Sequence, residues 1–324
     1  MGFLVVATDP RHKDFSIERE ELAAVGAELK IEMCTTEEAV IEACKDADAL
    51  LLTFAPIGRR AAAGLKRCRI IVRTGVGYDT IDVPAATERG IMVANVPDYC
   101  IGEVADHAMA LILCMVRRIC ELDAQVRAHG WIRPTVPVPR LESLALGIVG
   151  LGRIGGAVAR RARGFGLRLL ATDPHVSPEV FAAHGAESAI LPQLLAGADI
   201  VTLHTPLTQE TRGLIRAETL RQMKPSAILV NTSRGGVVVT DDLVKVLQEG
   251  KLAGAALDVF EDEPLPLDHA IRRVPNVLLT PHAAWYSVQA EPDLRRRSAR
   301  IVARALAGEI PASLLNPEAL RPRA

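Results

Sequence analysis

Residues 146–174, LGIVGLGRIGGAVARRARGFGLRLLATDP, leave the chain few choices of fold. An apolar run leads into Gly150-x-Gly152-x-x-Gly155, a helical stretch follows, and a second apolar run ends at Asp173. Gly150 permits a tight turn, Gly152 lets backbone come close to a ligand, and Gly155 lets the helix pack on the strand. The start of that helix, with Arg153 and Ile154, offers unpaired N–H groups and a positive dipole end, which suits a pyrophosphate. Asp173 is placed to accept hydrogen bonds from both ribose hydroxyls of an adenosine. A bare glycine pattern would be weak; strand, glycine loop, helix, strand and terminal acid in this order point to a dinucleotide-binding βαβ unit. The acid implies NAD(H). A 2′-phosphate there would bring two anions together, and neither Pro174 nor His175 is an arginine.

The rest of the chain repeats the theme. Strand-like runs lie at FLVVATD, ALLLTF, RIIVRTG, IMVANV, LALGIVGLG, RLLATD, IVTLHTP, AILVNTS, GAALDVF and VLLTPH, with helical patterns between most of them. That alternation means βαβ units and parallel sheets, and there are too many strands for one small sheet. At 324 residues two domains are expected. VVATDP at 5–10 echoes LLATDP at 169–174, a weak sign of two similar units side by side. The join is expected after Pro97, where a loop from Asp98 to Gly102 precedes an apolar helical pattern from Glu103 to Arg127. A helix of that length suits a domain connector or a subunit contact, and RPTVPVPR at 133–140 reads as an extended arm.

Composition removes several classes of function. With 49% hydrophobic and 24% charged residues the chain can bury substantial cores. A formal net charge of −1 gives no bulk field toward nucleic acid or anionic lipid. Arginine runs at 160–163 and 295–304 lie in helical patterns and read as solvated faces. Cys34, Cys44, Cys68, Cys100, Cys114 and Cys120 show neither C-x-x-C nor zinc-like spacing, so reduced, mostly buried thiols and no metal are expected. MGFLVVATDP carries no leader pattern, and no apolar stretch reads as membrane-spanning. A cytoplasmic protein is the expectation.

In an open parallel sheet, ligands bind beyond the carboxyl ends of the strands. Three successive strand ends there carry Arg234 in LVNTSRGG, Asp258 and Glu263 in ALDVFEDEP, and His282 in LLTPH. Taken singly, Arg234 could pair with a surface acid, Glu263 could be merely exposed, and His282 could be a satisfied core histidine. A cation, a carboxylate and an imidazole at adjacent strand ends are harder to assign to packing alone.

Together, VRTGVGYDTID at 72–82, the glycine loop, NTSRGG, LDVFEDEP and TPHAAWYS resemble the D-2-hydroxyacid dehydrogenases. The ending at 280–316, TPHAAWYS followed by a helix and G-x-IP-x-SL-x-N, is most similar to the C-terminal-binding protein branch. The resemblance implies two Rossmann-like or flavodoxin-like parallel-sheet domains. A discontinuous substrate-binding domain would comprise 1–98 and 284–324, with an NAD-binding domain at 99–283 inserted into it and closure over the cleft. It implies that Arg234 holds the carboxylate and carbonyl of a small 2-oxo or 2-hydroxy acid. His282 would be the proton donor, with Glu263 keeping it protonated for reduction. Arg73, Gly75, Val76 and Gly77 would present a cation and backbone N–H groups to the carboxylate, and Trp285 would lie beside the substrate. Thr205, Pro206, Thr232 and Ser233 would line the cofactor, and Asp258 would be a cofactor-side and structural neighbour of the Glu263–His282 pair. Val239 and Thr240 depart from the family's acidic pattern, and Thr240 with Asp241 is expected to serve the start of the next helix. The resemblance further implies a homodimer. It also leaves open a second role, an NAD(H)-sensing corepressor that binds peptides; against it, the chain shows no long tail and no DNA-reading motif.

Overall fold

A computed structural model describes residues 2–9, 12–131 and 137–320. The chain divides into two compact units, Met1–Tyr99 with Ser287–Ala324, and Cys100–Tyr286. In the first, β1 (Leu4–Ala7), β2 (Glu28–Ile31), β3 (Ala49–Leu52), β4 (Ile70–Arg73) and β5 (Met92–Ala94) form a parallel sheet ordered β2-β1-β3-β4-β5. Alternate residues feed opposite faces, as the two-residue period of a strand requires. Leu50, Leu52 and Ile71 enter one core, while Leu51, Ile70 and Val72 enter another, against Ala299, Val302 and Leu306 of the helix Ala290–Leu306. Each fully buried Leu or Ile contributes about 1.5–3 kcal/mol. The arginines of that last helix are paired rather than simply solvated. Arg295 meets the buried Glu18 at 2.7 Å, Arg296 and Arg300 meet Glu21, and Arg297 meets Asp98.

In the second unit, β6 (Ala145–Val149), β7 (Arg168–Thr172), β8 (Glu187–Ser188), β9 (Ile200–Leu203), β10 (Ile228–Asn231), β11 (Gly254–Leu257) and β12 (Val277–Leu279) form a parallel sheet. Its order is β12-β11-β10-β9-β6-β7-β8. Every residue of β6, β9 and β11 is buried, which is why these strands read as continuous apolar runs. The order reverses between β6 and β9, and the loops after these two strands bound the usual binding crevice of such a sheet. The expected doubly wound parallel architecture is therefore present, in two sheets of five and seven strands.

Two expectations change. The pattern 103–127 forms two helices, Ile101–Val116 and Ile119–His129, because Arg118 takes a left-handed conformation (φ 54°, ψ 34°) that ends the first. Arg118 Nε holds the break by donating to Glu121 at 2.6 Å. The expectation for the helix Thr240–Gln248 holds in part: Asp241 lies in its first turn, but Thr240 gives no side-chain cap, and Glu261 instead accepts the Thr240 amide at 2.8 Å. Of the proline-rich arm, 133–136 lies outside the described residues and 137–140 has no regular structure. Among the described residues no helix is long and apolar enough to cross a membrane.

Candidate active site

The glycine loop sits where β6 turns into the helix Arg153–Gly164. Gly150 has φ +92°, and a Cβ there would lie 2.9 Å from the His204 carbonyl. A Cβ on Gly155 would lie 2.0 Å from the Gly150 oxygen, so the helix can approach the strand only without one. Gly152 is different: nothing lies within 4 Å of where its Cβ would be, so the face over the helix start, with Arg153 and Ile154, is open. Asp173 closes the loop from the end of β7. Its Oδ2 accepts the Leu151 N–H at 2.8 Å and its Oδ1 the His175 N–H at 2.9 Å, which leaves acceptor capacity on both oxygens.

Two buried polar atoms on the neighbouring strands test whether these residues fit a dinucleotide. His204 Nδ1 after β9 and Thr232 Oγ1 after β10 have no hydrogen-bond partner among the described residues. Buried polar groups are almost always paired, so such atoms at the carboxyl ends of adjacent strands fit a polar ligand. Burial pushes the His204 imidazole down to about 4, so it is neutral at ordinary pH, and its Nε2 lies 3.0 Å from Thr202 Oγ1. Thr205 and Pro206 follow His204, with the Thr205 amide 3.0 Å from the Gly150 Cβ position. Open space at Gly152, the two orphaned atoms and the Asp173 carboxylate together suit a dinucleotide.

The turn after β10 is tied by Asn231, a residue the motif reading passed over. Its Oδ1 accepts from Ser233 N at 3.0 Å and Ser233 Oγ at 2.8 Å, and its Nδ2 donates to Arg234 O at 2.9 Å. Ser233 thus has its hydroxyl proton committed to Asn231. A Cβ on Gly235 would lie 1.8 Å from the Phe260 carbonyl carbon, so only glycine lets the Arg234 turn rest against the loop that carries Glu263.

Glu263 Oε2 lies 2.6 Å from His282 Nδ1, and its Oε1 accepts the Phe260 N–H at 3.0 Å. Burial alone would raise the Glu263 carboxyl. The His282 hydrogen bond and charge, the Phe260 N–H and the Arg234 charge outweigh burial and hold it below its ordinary value. A carboxylate, an imidazole and a guanidinium are therefore electrostatically coupled within this unit. Asp258, expected on the cofactor side, is fully buried. Its carboxylate accepts Thr280 Oγ1 at 2.6 Å, Ala283 N at 2.9 Å and Ala284 N at 3.0 Å, so it holds the turn that carries His282. Trp285 follows that turn, its ring edge-on to Tyr286 at 5.7 Å.

Arg73, Gly75, Val76 and Gly77 belong to the other unit, at the end of β4. Arg73 is buried, with Nη1 donating to Thr74 O at 3.2 Å and its guanidinium 5.8 Å from the Phe54 ring centroid. A Cβ on Gly75 would lie 1.4 Å from Nη1, so Arg73 shapes the loop by folding over Gly75. One expectation is corrected: the Gly75 amide already donates to Arg73 O at 2.9 Å, so Gly75 gives the loop its conformation (φ +147°) rather than a donor. The Val76 and Gly77 amides have no partner among the described residues. No group of three His, Cys, Asp or Glu among the described residues is placed to hold a metal ion.

Comparison with known proteins is consistent with these arrangements. The family model for the D-isomer specific 2-hydroxyacid dehydrogenase, NAD binding domain, matches residues 109–284. A glyoxylate reductase of Korarchaeum cryptofilum is 44% identical over 303 residues, covering 91% of this chain and 90% of that protein. The crystal structure of a D-lactate dehydrogenase from Aquifex aeolicus, complexed with NAD and lactic acid, superposes with a TM-score of 0.88 at 29% identity. It covers 96% of this chain and 98% of that one. An NADPH-dependent glyoxylate/hydroxypyruvate reductase from Sinorhizobium meliloti, in complex with NADP and malonate, gives a TM-score of 0.89 at 27% identity over the full length of both chains. On the family match over more than half of its length and the 44% identity to a full-length relative, the chain belongs to the D-isomer specific 2-hydroxyacid dehydrogenases.

Proposed function

We propose that this chain, an NAD-dependent oxidoreductase acting on CH–OH donors, reduces a small 2-oxo acid, with glyoxylate the leading candidate. The observation that carries the reading is the 2.6 Å pair between His282 Nδ1 and Glu263 Oε2, with Arg234 contributing to its electrostatics. A reduced nicotinamide held by the Gly150–Gly155 loop and Asp173 would supply the hydride that adds to the carbonyl carbon. That addition develops negative charge on the carbonyl oxygen next to a carboxylate, so the site needs a cation and a poised acid. Arg234 takes the carboxylate through its planar fork. With Nδ1 committed to Glu263, His282 delivers its proton from Nε2, and Glu263 keeps the ring oriented for that transfer. Glyoxylate leads because the glyoxylate reductase of Korarchaeum cryptofilum matches nearly end to end.

NADH oxidation with glyoxylate, hydroxypyruvate, pyruvate, phenylpyruvate and a thioether 2-oxo acid tests the reading. Turnover of glyoxylate above the bulkier acids is expected, and no turnover of any of the five would overturn it.

The ending shared with C-terminal-binding proteins supports a second role, a peptide-binding NAD(H) sensor. The same residues also have a plain folding task. Ser313 Oγ donates to Asn95 O at 2.6 Å, Leu315 N to Val93 O at 2.8 Å, and the buried Asn316 accepts the Val93 amide at 2.7 Å. The enzyme reading is therefore preferred, and peptide binding by calorimetry with NADH present separates the two. A homodimer is part of the proposal, supported by the helix Ile119–His129, which buries none of its residues and exposes Ile119 and Val126 at 49% each.

A further inference from the structure

A second histidine stands behind the first. His107, on the helix Ile101–Val116, places Nε2 3.1 Å from Thr280 Oγ1 and 3.6 Å from Asp258 Oδ1. Thr280 Oγ1 is itself 2.6 Å from Asp258 Oδ1. A hydroxyl has one proton, and a contact that short to a carboxylate uses it. The Thr280 oxygen must then accept from His107, which puts a proton on Nε2 of that ring. A directed chain results: His107 Nε2–H to Thr280 Oγ1–H to Asp258. From Asp258 it reaches the main chain around His282, because the Asp258 carboxylate takes the Ala283 and Ala284 amides and its carbonyl takes the His282 amide at 2.7 Å. All of these residues lie in one compact unit.

We propose that His107 is a positioning residue, acting through Thr280 and Asp258 to hold the turn that aims His282. It touches neither substrate nor cofactor in this role. Without the His107 donor, Thr280 Oγ1 loses the bond that orients its own proton. The hydroxyl can then turn away from Asp258, and the four bonds that Asp258 makes to this turn become three. A side chain held loosely costs rate more than binding, since a small misplacement of an acid is felt in the transition state. The inference rests on reading His282 as the acid.

The experiment compares His107→Leu, His107→Gln, Thr280→Val and the double variant His107→Leu/Thr280→Val. Readouts are kcat and KM for an accepted 2-oxo acid, NADH Kd by fluorescence, and Tm. Glutamine puts an amide N–H near where the His Nε2–H stands; leucine supplies none. Expected for His107→Leu is a fall in kcat of roughly 5- to 30-fold, the worth of one or two hydrogen bonds in a barrier. KM and NADH Kd should stay within about two-fold, since Arg234 and the glycine loop are untouched. His107→Gln should recover most of the loss. The double variant should be no slower than Thr280→Val alone, because the two side chains act in series. Unchanged kcat in His107→Leu, multiplicative losses in the double variant, or no recovery with glutamine would each overturn the inference. His282→Asn is the control: if it retains full turnover the underlying reading fails, and if it alone loses turnover only the role of His107 fails.

Discussion

His282 holds a left-handed backbone conformation (φ 53°) with its amide donating to the Asp258 carbonyl at 2.7 Å. A non-glycine residue in that region is uncommon, though histidine and asparagine tolerate it better than most. Asp258 keeps it there, with its carboxylate on the two amides that follow and its carbonyl on His282 itself. The imidazole is thus set by the end of β11 although it follows β12, which is why a residue far along the chain from the glycine loop belongs to the same sheet edge.

His282→Asn should keep the fold, since asparagine also accepts the left-handed conformation. NADH binding should be nearly unchanged and turnover should fall by roughly 10²–10⁴, the usual worth of a positioned acid. Stopped-flow NADH binding alongside steady-state kinetics checks this, and wild-type turnover would remove His282 from the mechanism.

Glu263→Gln should lower kcat for 2-oxo acid reduction, because the His282 ring loses the carboxylate that orients it from 2.6 Å. An unchanged kcat would uncouple the pair. Stability carries a second signature. The Glu263 carboxyl is held below its ordinary 4.5. A carboxyl so depressed contributes its full stability above the unfolded value and loses it as pH falls through the folded one. Thermal melts should therefore show the wild type losing Tm faster than Glu263→Gln as pH drops below about 4.5.

How much of this was legible in the sequence depended on the kind of force involved. The ten strands with long apolar runs were readable, since both faces of each sheet are covered. β2 was not: ELKI buries only Leu29, so an edge strand offers no run to see. β8 is two exposed residues. At the candidate site, Arg234, Glu263 and His282 stand out in the sequence as polar groups at successive strand ends amid apolar surroundings. Their supports do not. Gly235, Thr280 and His107 act through contacts with residues up to 173 positions away, which spacing does not mark, and Asn231 acts through a tight turn with Ser233 and Arg234 that polarity alone does not reveal. Arg118 defeated the helix pattern for the same reason, since a left-handed break in an arginine has no compositional signal.

Thiol chemistry should follow burial. Burial pushes the Cys44 thiol up to about 12 and raises Cys34 and Cys68 as well, whereas Cys120 is exposed. A thiol needs its thiolate and access to react. Alkylation at neutral pH, mapped by mass spectrometry, should therefore reach Cys44 and Cys68 only after unfolding. Rapid native labelling of Cys68 would contradict the packing of the first sheet.

Asp173 should make the enzyme prefer NADH to NADPH. Its carboxylate is anchored by the Leu151 and His175 amides at 2.8 and 2.9 Å, so it cannot swing aside to admit a second anion. A 2′-phosphate beside it would meet like charge in a partly enclosed site, while two ribose hydroxyls would donate to it. The fold does not decide the matter, because the similar Sinorhizobium meliloti structure is of an NADPH-dependent reductase. The decision lies with the residues after β7, where Pro174 and His175 provide no guanidinium. The ratio of kcat/KM for NADH over NADPH, measured with one accepted 2-oxo acid, should therefore exceed roughly 10, the factor that 1.4 kcal/mol supplies. Parity between the two cofactors would sink the argument. In Asp173→Ala the ratio should shrink mainly through weaker use of NADH, because the hydroxyls lose their acceptor while the phosphate gains no partner.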